Sequence, residues 1–166
     1  MRSLSVLAAM SIVGLLCTAC ATRPPLDLAG VDAGLTPARA AADIGSARTR
    51  KVEWGGVIVS AENLRDRTRL EVLAYPLDHS ARPELDRAPL GRFILEKAGY
   101  LETLDYAPGR LLTAVGLVTG IRDGTVGQTA YRFPLISAEQ LHLWPVWTPD
   151  NGRPRIQFGF GVLYSH

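Results

Sequence analysis

Asp78-His79-Ser80 brings together the three side-chain types of a nucleophilic hydrolase: a carboxylate, an imidazole and a hydroxyl. Catalysis needs them strung in a chain of hydrogen bonds with the imidazole in the middle, and three adjacent residues cannot adopt that geometry. A surface turn accounts for the tripeptide better, because aspartate and serine side chains bond their own backbone. The remaining histidines, His142 and His166, are far apart in sequence and lack the carboxylate or cysteine spacing of a zinc site. Glycines at Gly116, Gly120, Gly124 and Gly127 invite a phosphate-loop reading, but no Lys-Ser/Thr pair follows and they fall in a hairpin pattern. Arg65, Arg67 and Arg69 alternate at the entry to a strand and share one face, a suitable surface for lipid phosphate or an anionic glycolipid. Glu62, Asp66 and Glu71 lie beside them, so a mixed solvated face is the better expectation. These residues give no expectation of a catalytic group, a metal site or a cofactor.

A different chemistry surrounds Cys20. Arg2 supplies one positive charge, Leu4 through Leu16 form an uncharged apolar run, and the slim residues Thr18 and Ala19 precede the thiol. An apolar run of about a dozen residues suits a signal peptide and is too short to span a bilayer comfortably. Leu15-Leu16-Cys17-Thr18-Ala19-Cys20 resembles the bacterial lipobox, in which the cysteine takes a diacylglyceryl group on sulfur and an acyl chain on its freed amine. The alternatives are an ordinary secretory signal cut near Ala19 or Ala21, or an uncleaved core helix. At roughly 0.8 kcal/mol per buried CH₂, two or more chains make a lasting anchor. Residue Ala21, rather than an aspartate, follows the cysteine, which in bacterial lipoprotein sorting implies the outer membrane. The expected state is therefore a lipid-anchored, periplasm-facing protein whose partner is outer-membrane lipid through acylated Cys20.

The chain has two cysteines, Cys17 and Cys20. If residues 1–19 leave as a signal peptide and Cys20 is acylated, the mature fold has no thiols left for a disulfide or a cysteine metal site. The formal net charge of the 166-residue chain is +2, so there is no basic excess of the kind that drives nucleic-acid binding.

The elements that must hold these residues follow from periodicity. Residues 20–35 mix Pro24-Pro25, Gly30 and Gly34 with small polar residues and are expected to form an acylated tether. Thr36-Pro37 reads as an N-cap followed by proline at the first helical position, opening one short helix that Gly45 stops. Beyond Arg50 the period is near two. Val52, Trp54, Gly56 and Ile58 share one strand face, with a bulge or bend expected at Gly55-Gly56. Asn63 and Asp66 mark a turn, Leu70, Val72 and Ala74 a second strand, Asp78 to Pro89 a loop, and Gly91 to Glu96 a third strand, although Glu96, Lys97 and Ala98 also suit a helical turn. Leu111 to Ile121 is a central strand apolar on both faces, followed by a hairpin at Asp123-Gly124. Short strands at Thr129 to Ile136 and Gln140 to Trp144 follow, then an aromatic strand from Ile156 to Tyr164. The fold class is mainly β: residues 36–166 form a small antiparallel β-barrel, OB-like, of about six or seven strands with one short N-terminal helix. A membrane-spanning barrel is disfavoured, since eight strands of about ten residues are poorly met.

Val52-Glu53-Trp54-Gly55-Gly56-Val57-Ile58, the run Thr68 to Asp78, Gly91-Arg92-Phe93, Leu111 to Gly120, Tyr131-Arg132-Phe133-Pro134 and Leu141-His142-Leu143-Trp144, taken in order, resemble the Slp family of outer-membrane lipoproteins. The resemblance runs from the lipobox to about Trp144 and is least from Val146 onward. It implies an outer-membrane lipoprotein associated with starvation or stationary phase, without an established catalytic activity, and it carries no binding residue across. Candidate binding residues come from the residues themselves: Trp54, Arg69, His142, Trp144 and Trp147. Trp54 reads chiefly as core packing, His142 as a surface histidine, and Trp144 and Trp147 as a barrel cap, a partner site or a contact with lipid headgroups. The expected function is a noncatalytic role in envelope maintenance or stress response, with an envelope protein or glycolipid as a further partner. The alternative is a periplasmic module that binds a small molecule, lipid or glycan.

Overall fold

The computed structural model describes residues 23–146. Five strands carry the fold: β1 (Lys51–Asn63), β2 (Arg67–Tyr75), β3 (Gly91–Ala98), β4 (Leu111–Val126) and β5 (Thr129–Leu143). They close into a barrel in the order β1-β2-β3-β5-β4, with β4 returning to β1. This is a five-stranded barrel of the OB-like kind. Every pairing is antiparallel except the seam, where Ile94–Glu96 of β3 runs parallel to Leu135–Ser137 of β5.

Alternation puts one face of each strand into the core. Val52, Trp54 and Ile58 meet Leu70, Val72 and Ala74, then Phe93 and Leu95, then Leu112, Ala114 and Val118, then Ile136 and Ala138. Each large side chain buried in this way stabilises the fold by roughly 1.5–3 kcal/mol. Trp54 and Phe93 meet edge to face at 5.2 Å. The glycine pair expected to bulge does not. Gly55 and Gly56 keep regular register with both β2 and β4, and the shift in β1 falls between Ile58 and Ser60. Gly56 is instead a close approach: a Cβ there would run into the Leu73 carbonyl.

Three further boundaries differ from the sequence reading. The single helix is two, α1 (Pro37–Ala42) and α2 (Ile44–Ala47). Thr36 caps the first as expected, accepting from Arg39 N at 3.3 Å. The chain leaves helical geometry at Asp43, not Gly45, because the Asp43 carboxylate accepts from Ser46 N and opens the second helix. The hairpin expected at Asp123-Gly124 lies further on, around Gly127 at φ 59°, while Asp123 and Gly124 pair with Arg132 and Tyr131. Long-range pairing there overrides a dipeptide that local preference reads as a turn. The two short strands after it are one, β5, which follows β4 around the barrel through register shifts at Val115/Gly116 and Val118/Gly120. Bulges of this kind bend a long hairpin. Five strands are present among the described residues, and the aromatic segment from Ile156 to Tyr164 lies outside them.

The segment expected to stand off as a tether lies on the barrel from Arg23 onward. Asp27 N donates to Gln140 Oε1 at 2.9 Å, Asp32 N donates to Lys51 O at 2.8 Å, and Val31 bridges Lys51 in parallel. Ion pairs Lys51–Asp27 (3.5 Å) and Arg50–Asp32 (2.6 Å) lie beside them. Proline and glycine gave this stretch no period of its own, yet its backbone groups found partners on β1 and β5. Its partners Glu53 and Gln140 flank Val115 on the neighbouring strands, and Val115 is buried although it points away from the barrel interior.

Candidate functional site

The outer wall where β1, β4 and β5 meet gathers most of the unusual side chains. Glu53 and Gly55 point outward from β1, opposite Val115 and Thr113 of β4. Arg23 grips Glu53 with one nitrogen at 2.7 and 2.6 Å from the two carboxylate oxygens, and its other terminal nitrogen donates to His79 O at 3.5 Å. Charge-assisted bonds of this length are among the stronger ones a half-buried pair makes.

Gly55 has no side chain, and the loop after β2 crosses at that point with Leu77 against it. Asp78-His79-Ser80 forms a tight turn there. The Asp78 carboxylate accepts from Ser80 N at 2.8 Å and Arg82 N at 2.9 Å, so its oxygen serves the backbone as the turn reading expects. Ala81 then takes φ 65° and offers its carbonyl to Thr113 Oγ1 at 2.6 Å. The same hydroxyl accepts from Trp144 Nε1 at 3.0 Å. Thr113 thus ties the loop, β4 and the end of β5 together in a fully buried position.

Trp144 is the centre of this arrangement. Its ring lies under the Arg82 guanidinium, 5.2 Å from the centroid, and meets His142 edge to face at 4.5 Å. Its carbonyl accepts from Arg110 Nη2 at 3.2 Å. Trp144 itself is 9% exposed, whereas its neighbours Leu85 and Val146 stand 51% and 59% open. A shallow cleft of about 210 Å³ runs between Arg82, Leu85, Arg110, Trp144 and Val146.

A second cleft, of about 290 Å³, opens between the docked N-terminal segment and the loop after β2. Val31, Leu35, Pro37, Leu77 and Leu90 give it apolar walls, Trp54 its floor, and Glu53 one polar edge. Trp54 is 5% exposed and donates its Nε1 to Leu35 O at 2.7 Å, so the indole pins the segment that roofs it.

Arg69 lies elsewhere, on the β2–β3 face. Its Nε and Nη2 reach Glu96 at 3.1 and 2.9 Å, and Nη1 reaches Glu62 at 3.5 Å; Arg67 bonds the same Glu96 at 3.1 Å. Burial raises the Glu96 carboxyl, but the hydrogen bonds and charges of Arg69 and Arg67 outweigh it and hold the pKa below its usual value. Of the three alternating arginines, Arg67 and Arg69 are therefore paired with carboxylates on neighbouring strands, while Arg65 forms no ion pair among the described residues. Cys20 and Trp147 lie outside the described residues. Sequence reasoning missed Arg23, Arg82 and Thr113. A threonine inside an apolar strand was a signal for the last, while the first two carried no local pattern.

Residues 17–165 match the family described as Outer membrane lipoprotein Slp family, so the match continues to the C-terminal region in which the motif resemblance was least. The chain is 36% identical over 95 residues to the uncharacterized lipoprotein YeaY of Escherichia coli (strain K12), covering 57% of this chain and 49% of the relative. To the outer membrane protein Slp of the same organism it is 24% identical over 116 residues, 69% of this chain and 61% of the relative. The matches span roughly half to three fifths of these curated relatives. Among solved structures, Schizosaccharomyces pombe Pot1pC bound to single-stranded DNA aligns with 72% of this chain and 88% of its own at 7% identity. The TM-score of that alignment is 0.30.

Proposed function

The chain belongs to the outer membrane lipoprotein Slp family, and on that premise we propose that it is acylated at Cys20, faces the periplasm, and serves a noncatalytic role in maintaining the envelope under nutrient or acid stress. The observation that carries this reading is the order of the N-terminal region. An apolar run, slim residues and a thiol end at Cys20, and Arg23, which bonds Glu53 of β1, follows three positions later. A globular domain bonded to its chain three residues after that thiol suits a protein held close to a membrane. The outward groups of the β1/β4/β5 wall are engaged in structural bonds: Thr113 holds Ala81 and Trp144, Asp78 holds its own turn, and Glu53 holds Arg23. Radioactive palmitate should enter the wild-type protein in cells and miss a Cys20→Ser variant, and the labelled protein should travel with outer-membrane vesicles on a density gradient. An unlabelled wild type that washes free of membranes overturns the anchor. Unchanged envelope permeability after deletion, under starvation and acid alike, overturns the role.

The apolar cleft over Trp54 supports a second reading, a module that binds a small molecule, lipid or glycan. Its volume lies at the lower edge of ligand sites, which run from about 300 Å³. A ligand that binds only the native state raises the melting temperature. A panel of lipids and glycans without such a shift removes this reading.

A further inference from the structure

We propose that the barrel wall carrying Leu85, Arg82, Trp144 and Val146 lies on the phospholipid headgroups of the leaflet that holds the acyl chains, so that the domain has one fixed face toward the membrane. The inference rests on acylation of Cys20.

Reach is the first argument. Arg23 is fastened to Glu53, and only Ala21 and Thr22 separate it from Cys20. Three Cα–Cα steps span at most about 11 Å. Whatever path residues 20–23 take, Glu53 stays within a short distance of the bilayer surface.

Position is the second. Glu53 and Gly55 are successive outward positions of β1, facing Val115 and Thr113, and successive outward positions on a strand are about 7 Å apart. Thr113 holds Trp144. The Arg23 guanidinium also reaches His79 O, in the same turn that places Arg82 over the Trp144 ring. The anchor point and the Trp144 cleft are therefore neighbours on one wall. The β4–β5 hairpin tip at Gly127 is the length of β5 away from Trp144.

Chemistry is the third. Leu85 and Val146 are two of the large apolar side chains most open to water among the described residues, and they flank one cleft. Two arginines, Arg82 and Arg110, line it with them, and no carboxylate among the described residues forms an ion pair with either. Aliphatic groups beside tryptophan and arginine suit the boundary between acyl chains and phosphates. Such a patch is too small to hold a protein on a membrane alone. Behind a short covalent tether it need not, because the effective concentration is on the order of millimolar or above and a weak contact stays occupied.

The test uses the full acylated chain in vesicles of phosphatidylethanolamine and phosphatidylglycerol containing headgroup spin-labelled lipid. Once Cys20 is acylated, a cysteine introduced as Leu85→Cys or Val146→Cys is the one free thiol, and each is labelled with bimane; Gln128→Cys at the hairpin tip is the reference. Quenching by the spin-labelled lipid should be several-fold stronger at positions 85 and 146 than at 128. Equal quenching at all three, in protein whose intact mass shows the acyl chains and which floats with the vesicles, overturns the orientation while leaving the anchor standing. A mass without acyl chains overturns anchor and orientation together. Bimane at 85 and 146 that is shielded from aqueous iodide equally in vesicles and in soluble Cys20→Ser protein shows that the C-terminal segment or a second copy covers the wall, and also overturns the proposal.

Discussion

Breaking the Arg23–Glu53 pair should release the N-terminal segment without unfolding the barrel. Arg23 is 37% and Glu53 12% exposed at the side chain, and the shortest contact is 2.6 Å. An exposed pair contributes about 0–1 kcal/mol, whereas hydrogen bonds to charged groups contribute about 1.5–3 kcal/mol. A carboxylate this covered, gripped by a guanidinium one third open, falls between the two, so a coupling energy of about 1–1.5 kcal/mol is expected. The perturbation is a double-mutant cycle of Arg23→Ala, Glu53→Ala and the pair, in soluble Cys20→Ser protein. Urea unfolding gives the coupling directly, and in melting temperature each single variant should lose roughly 3–5 °C. Hydrogen exchange gives the local readout: the Asp32 amide, which donates to Lys51 O, should exchange faster in both single variants while the amides of β2 keep their protection. A coupling below about 0.3 kcal/mol, the usual error of additivity, together with unchanged exchange at Asp32, refutes the claim that this ion pair docks the segment.

Other perturbations test other parts of the structure. Gly116→Ala should cost about 3 kcal/mol or leave the protein insoluble, because its Cβ would run into the Ser137 carbonyl and backbone on a neighbouring strand cannot step aside; Gly120→Ala, which meets only the Arg48 guanidinium at 3.6 Å, should fold and melt within a few degrees of wild type. Thr113→Val leaves the Ala81 carbonyl and the Trp144 indole without their shared partner and should cost about 2–3 kcal/mol, and adding Trp144→Phe should cost less than the sum of the two, by chemical denaturation. Glu96 should make the fold acid-sensitive. Its carboxyl is held below the usual 4.5 by Arg69 and Arg67, so its stabilisation is present above that value and is lost as pH falls through the lower folded pKa. Unfolding free energy measured from neutral pH downward should therefore fall less steeply for Glu96→Gln than for wild type, and parallel curves would contradict the pairing.

Much of the fold and part of the candidate wall are legible in the chain. Alternation at Val52, Trp54 and Ile58 and at Leu70, Val72 and Ala74 is a local signal, since successive strand side chains point to opposite faces wherever the strand ends up. The Thr36-Pro37 helix start, the Asp78 turn and the apolar run before Cys20 are local in the same way. The ordered motifs reach across the chain and carry the family. Trp144 stood out by its type, but the partners that make it a centre, Arg82, Thr113 and Arg110, did not, because they come from 31 to 62 positions away.

The residue pattern by itself determined that this chain makes strands, which faces of those strands are apolar, and that a thiol follows an apolar run and two slim residues. Tertiary structure alone decided the parallel seam between β3 and β5, the continuation of β4 through Asp123-Gly124, and the docking of Arg23 and Asp27 on β1 and β5. The physical reason is separation: side-chain periodicity acts over two to four residues, whereas a barrel closes and a segment docks through bonds between groups that only the closed shape brings within 3 Å or so of each other.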